Sequence, residues 1–204
     1  IKTPAYKRYK YVNYLNKDED IIPIQYIDWT KERPVLSHRP LDVYSSGKFD
    51  FFCLEPDNDV DLYTLDGRFY VDPIDNRLKS IQHRRPIMGV DGYIILRTTK
   101  PVINEIGEIF DGNKKVAQFK IASFKSSKGL WTIDGTVFYQ RYPKKVQINE
   151  TPNYNFLQGY YEAQNEPPGM MTSKLITPYA EATAKSTKKY LDTYELFFEA
   201  VIEK

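Results

Sequence analysis

The chain has 204 residues, 41% hydrophobic and 27% charged, with 29 Lys and Arg against 27 Asp and Glu for a formal charge of +2. That length and mix suit one sizeable folded domain burying roughly 70% of the surface of its unfolded form, and they exclude wholesale disorder. The near-neutral balance argues against a general nucleic-acid binder, and the single Cys53 excludes an intrachain disulfide framework and any multi-cysteine zinc site.

The first predicted segment is basic and aromatic. Residues 1–17 hold Lys2, Lys7, Arg8, Lys10 and Lys17 with no acid, interleaved with Tyr6, Tyr9, Tyr11 and Tyr14, and the sign flips at Asp18, Glu19 and Asp20. This reads as an extended arm ahead of a single β-rich domain over residues 18–204. A start at Ile1 instead of methionine suggests a processed or trimmed chain, or a released piece of something longer.

Residues 21–28 predict a short edge strand, because Pro23 cannot donate to a ladder. Beyond it, strands alternate with turn chemistry up to residue 150. Phe49 to Leu54 is an aromatic strand, and Val60 to Leu65 ends at Asp66-Gly67, a dipeptide favoured in type I′ hairpins, with Arg68 to Val71 as the expected partner. Leu78 to His83 and Tyr93 to Thr99 follow, and Asp111-Gly112-Asn113 predicts a second hairpin between Val102–Phe110 and Val116–Phe124. Alternation at period two places Ala117, Phe119 and Ile121 on one sheet face, and does the same for Trp131, Ile133, Val137 and Tyr139.

Residues 143–174 carry four prolines and few periodic apolar positions, and read as a long excursion over the surface. Thr177 and Pro178 then suit the start of one short helix, and Tyr194, Leu196, Phe198, Ala200 and Ile202 alternate as a terminal strand. The fold class implied is all-β: an antiparallel β-sandwich, jelly-roll-like, or a barrel, with one short helix near the C-terminus.

Few common reactive constellations fit a chain whose only imidazoles are His38 and His83 and whose only thiol is Cys53. There is no G-x-x-x-x-G-K-[ST], G-x-G-x-x-G, H-E-x-x-H, G-x-S-x-G or C-x-x-C. Ser45-Ser46-Gly47-Lys48 lacks the upstream glycine of a phosphate loop and reads as a turn. Asp57, Asp59 and Asp61 space like the opening of a calcium loop, but Leu62 and Arg68 stand where its glycine and final acid belong. They remain a weak metal candidate, and no cofactor is expected. Cys53 shares its parity with Phe49 and Phe51, which predicts a small buried thiol. The chain is read as a non-enzyme, with an acid-pair glycoside hydrolase as a minor alternative that no motif singles out.

What the sequence offers instead is contact surface. Its 17 tyrosines supply wide area with a polar tip and few torsions to freeze. Tyr6 and Tyr14 on the arm, with Tyr154, Tyr160, Tyr161 and Tyr179 around the excursion, are the candidate interface. Lys7, Arg8, Tyr9, Lys10 and Tyr11 combine phosphate-binding charge with stacking rings, and Arg84 and Arg85 end a second basic cluster with Arg77, Lys79 and His83. A basic aromatic arm, a sheet-rich body, a proline-rich excursion and a C-terminal strand together resemble the organisation of jelly-roll coat proteins. That resemblance implies a structural subunit of a larger particle, whose partners are copies of itself or related subunits and, through the arm, nucleic acid. A capsid or virion component, intracellular or within a virion more than secreted, is the corresponding expectation. The alternative is a β-barrel holding a small apolar ligand or carbohydrate against Trp131, Phe119 and Tyr139. No apolar run is long enough for a membrane span.

Overall fold

The computed structural model describes residues 4–15, 21–141, 143, 148 and 155–163. The predicted helix at Thr177, the strand at Tyr194–Ile202, and Tyr154 and Tyr179 lie outside the described residues. The chain forms two compact units: residues 1–8 with 27–165, and residues 9–26 with 166–204. In the second unit, β1 (Tyr9–Leu15) and β2 (Ile21–Ile27) make a two-stranded sheet, so Tyr9, Lys10, Tyr11 and Tyr14 lie on a paired strand.

The first unit is built on an open five-stranded antiparallel sheet. Its strands are β5 (Asp50–Asp57), β6 (Val60–Thr64), β14 (Ile121–Ser123), β15 (Leu130–Thr132) and β16 (Val137–Gln140), in the order β14-β5-β6-β16-β15. Around it stand a three-stranded sheet of β11 (Val102–Ile103), β12 (Glu108–Asp111) and β13 (Lys114–Gln118), and several two-stranded ladders. Two ladders matter below. One pairs β7 (Phe69–Val71) with β8 (Leu78–Ser80), and the other joins β3 (Pro34–Leu36) to β18 (Tyr160–Glu162). All these pairings are antiparallel, so the architecture is all-β and sandwich-like. No sheet of the described residues closes into a barrel.

Alternation along β5 explains the layering. Phe52 and Leu54 point into the larger core with Phe69, Leu78, Ile109, Phe119 and Phe156, while Phe51 and Cys53 point into a smaller one with Tyr63, Phe124, Leu130 and Phe138. Ala117, Phe119 and Ile121 all face the larger core, as their period predicts, although the strand breaks between β13 and β14. Phe52 meets Phe69 and Phe119 edge-on at 5.1 and 5.2 Å between ring centroids, a packing that adds to simple area burial.

Two turn expectations differ in outcome. Asp111-Gly112-Asn113 does join β12 to β13 as a hairpin. Asp66-Gly67 does not make one: β6 pairs with β5 and β16, while β7 pairs with β8. Gly67 serves close approach instead, because an added Cβ there would stand 1.7 Å from the Val43 carbonyl oxygen. The run from Trp131 to Tyr139 is likewise two strands, with Trp131 opposite Tyr139 across the β15–β16 hairpin. Asp134-Gly135 turns the chain there.

Candidate functional site

The predicted arm enters the body at residues 4–8. Ala5 N–H donates to the Glu162 carbonyl (3.1 Å), Lys7 N–H to the Gly135 carbonyl (2.8 Å), and Asp28 N–H to the Arg8 carbonyl (2.9 Å). Gly135 allows this approach: it has a φ of 84°, and a Cβ there would meet the Tyr6 ring at 2.3 Å. Lys7, expected as a contact for nucleic acid or a partner, is 1% exposed. Its ammonium donates to Glu162 Oε1 at 2.5 Å and to the Thr30 carbonyl at 2.6 Å, so its charge is neutralised inside the chain. Glu162 also accepts from Lys31 Nζ (2.7 Å) and from the Glu32 amide (3.1 Å). Burial depresses the Lys31 ammonium below the usual lysine range, with Glu162 opposing. Arg8 is held by Asp28 at 3.1 Å. Nothing in the sequence marks Glu162 as the partner, since its segment is read as part of a surface excursion and the pair spans 155 positions.

The second basic cluster is compensated by acids. Lys79 bridges Asp72 (2.6 Å) and Asp75 (3.0 Å), and Arg77 approaches Asp75 at 3.7 Å while lying 3.9 Å over the Tyr93 ring. Arg85 meets Asp57 at 3.3 Å, and within this cluster Arg84, in a turn with a φ of 55°, stands exposed with no carboxylate beside it among the described residues. Tyr160 and Tyr161 lie half-buried on β18 against β3, and Arg68 sits 5.9 Å over the Tyr161 ring. The three acids at 57, 59 and 61 follow the exposed β5–β6 hairpin. No cluster of three metal-ligating side chains occurs among the described residues.

One group of reactive type does come together. His83 Nε2 lies 2.9 Å from Thr136 Oγ1, and His83 Nδ1 lies 3.7 Å from Asp134 Oδ2. The proton inventory decides what it does. Thr136 has one hydroxyl proton and donates it to Asp134 Oδ1 at 2.7 Å, so it accepts from the imidazole and offers that ring no proton to remove. Asp134 Oδ1 also accepts the amides of Thr136 and Val137, each at 2.8 Å, which fixes the β15–β16 turn. Thr136 is 2% exposed. Burial lowers the His83 pKa, with Asp134 pulling the other way. The three side chains build a turn, and the Asp134-Gly135 dipeptide was its signal in the sequence.

Cys53 is equally quiet: burial pushes its thiol up to about 11, so thiolate is scarce near neutral pH. It stands in the wall of a half-open cavity of about 400 Å³ on the smaller-core side of the sheet, with Tyr63, Met88, Phe124 and Ile148. This cavity is not the one expected. Phe119 belongs to the larger core, Tyr139 packs against it, and Trp131 lies beneath Arg141 at 4.5 Å; none of the three lines the hollow. Gln140 donates to the Tyr63 hydroxyl at 2.8 Å, and burial raises the Tyr63 pKa. The sequence carries no signal for this hollow, because its wall is drawn from stretches far apart in the chain, from Cys53 to Ile148.

No protein-family model matches this chain, and no curated protein matches it. No helix among the described residues is long and apolar enough to cross a membrane.

Proposed function

We propose that the chain is a non-catalytic structural subunit that works by assembling with copies of itself or with related subunits, coat-protein-like in organisation. The observation that carries this reading is the set of bulky apolar side chains held in solvent on ordered turns and strand ends. Ile74 is 92% exposed, Ile133 65% and Val90 61%, and Tyr93 adds a half-exposed ring. Single exposed apolar residues are ordinary on monomers. A series of them on one small body supports burial against a neighbour.

The charge pattern supports protein as that neighbour. Lys79, Arg77, Arg85 and Lys7 each already face a carboxylate of this chain, which lowers the pull of these four cations on phosphates. Sedimentation velocity of the full chain over a concentration series, with and without nuclease, tests the reading. Larger species that grow with concentration and ignore nuclease are expected. A strict monomer at every concentration would overturn it, and nuclease-sensitive association would move the partner to nucleic acid.

A further inference from the structure

Glu162 is one carboxylate serving two amines. Its Oε1 accepts from Lys7 Nζ at 2.5 Å, and its Oε2 accepts from Lys31 Nζ at 2.7 Å. Among the described residues no other carboxylate is shared by two lysines.

The two amines are held unequally. Lys7 is 1% exposed and has a second acceptor, the Thr30 carbonyl at 2.6 Å, which suits a full ammonium. Lys31 has Glu162 as its one hydrogen-bond acceptor among the described residues, and its Nζ otherwise lies 4.7 Å over the Tyr44 ring. The Lys31 side chain keeps 16% of its surface in solvent, so a small molecule reaches it from outside while Lys7 is sealed.

A lysine is a nucleophile only as the neutral amine. Two settings favour that form: removal from water, and a second cation close by. Lys31 has both. Burial is the larger cause and Lys7 adds to it, and together they outweigh Glu162 and hold the Lys31 pKa below its usual value. Asp50 is the one further acid acting on it, from beyond ion-pair distance, and Asp50 Oδ1 is already taken by the Ser123 hydroxyl.

We propose that Lys31 is a covalent modification site for small aldehydes, its Nζ forming an imine with Glu162 as proton carrier and counter-ion. The nitrogen lone pair attacks the carbonyl carbon and closes the C–N bond, while the C=O π pair moves to oxygen. Two protons pass from nitrogen to that oxygen by way of Glu162 Oε2, water leaves, and the C=N bond forms. The imine, once protonated, is a cation against the same carboxylate and the same Tyr44 ring, which stabilise it as they do the ammonium. The site stands apart from the assembly reading and does not need it.

The test is reductive methylation of the full chain with limiting formaldehyde and cyanoborohydride at pH 7, read by peptide mass mapping. Lys31 is expected to be methylated about tenfold faster than the exposed Lys100, Lys125 and Lys128, and Lys7 slowest of the five. That lead should narrow toward about pH 10, where the exposed amines also lose their protons. Lys31→Arg, which keeps the charge, is expected to remove the fast phase. Lys31 labelled no faster than the exposed lysines at pH 7, or a fast phase that survives Lys31→Arg, would overturn the proposal.

Discussion

The two faces of the central sheet are covered in opposite ways. On one, Phe52, Leu54, Phe69, Phe119 and Phe156 interlock into a closed core with Val43, Phe69, Leu78 and Ile87 at or near zero exposure. On the other, the cover is a patchwork. Trp29 lies over Phe51 and Phe138 at 6.0 and 5.1 Å, residues 4–8 close one side through a buried ion pair, and the remainder is left as a hollow. The first face follows from hydrophobic patterning alone. The second depends on charge pairing and close backbone approach, which makes it both fragile and available.

The largest expected effect falls on the patchwork face. Deleting residues 1–8 leaves Glu162 with Lys31 as its one remaining cation among the described residues and takes Ala5 out of the smaller core, and should cost roughly 3–5 kcal/mol, the cost of breaking one buried pair. Denaturant titration of the truncated chain reads this, and unchanged stability would show that the segment is a free arm. Glu162→Gln alone should cost about 3–5 kcal/mol, and because Glu162 also pairs with Lys31, recovery by apolar replacement should need Lys7→Met, Lys31→Met and Glu162→Leu together.

The two cores can then be compared directly along β5. Leu54→Ala, in the closed core, should cost about 2–5 kcal/mol by opening a cavity. Cys53→Ala, beside space that already exists, should cost about 1 kcal/mol or less. Equal losses would mean that the hollow is no weaker a part of the core than the rest.

Much of the closed face was legible in the sequence, because its alternation is strict: Ala117, Phe119 and Ile121 face one way, and Phe51 with Cys53 the other. The patchwork face was not. Lys7 reads as one more cation in a basic arm, and only the fold brings it to Glu162, 155 positions away. Of the two Asp-Gly hairpins read from the sequence, Asp111-Gly112 forms and Asp66-Gly67 does not, because the close passage of Val43 claims it; the run from Trp131 to Tyr139 turns at Asp134-Gly135 instead of continuing as one strand. The site residues followed suit: charge runs were visible, and the carboxylates that neutralise them were not.

The smallest predicted effect concerns pH. His83 has its pKa lowered from 6.5 by burial, so the native state binds fewer protons there than the unfolded chain. Its contribution is complete above the ordinary imidazole value and shrinks as pH falls below it. Stability measured from about pH 7 to 5 should therefore decline less steeply in His83→Gln than in the wild type. A slope unchanged by the substitution would remove His83 from the account.

The most direct test of an assembling, non-catalytic body is hydrogen exchange compared between dilute and concentrated full chain. Slower exchange at the exposed apolar turns around Ile74, Val90 and Ile133 on concentration, with the closed core unchanged, is the predicted result. Identical exchange at both concentrations, across every exposed apolar turn, would contradict it.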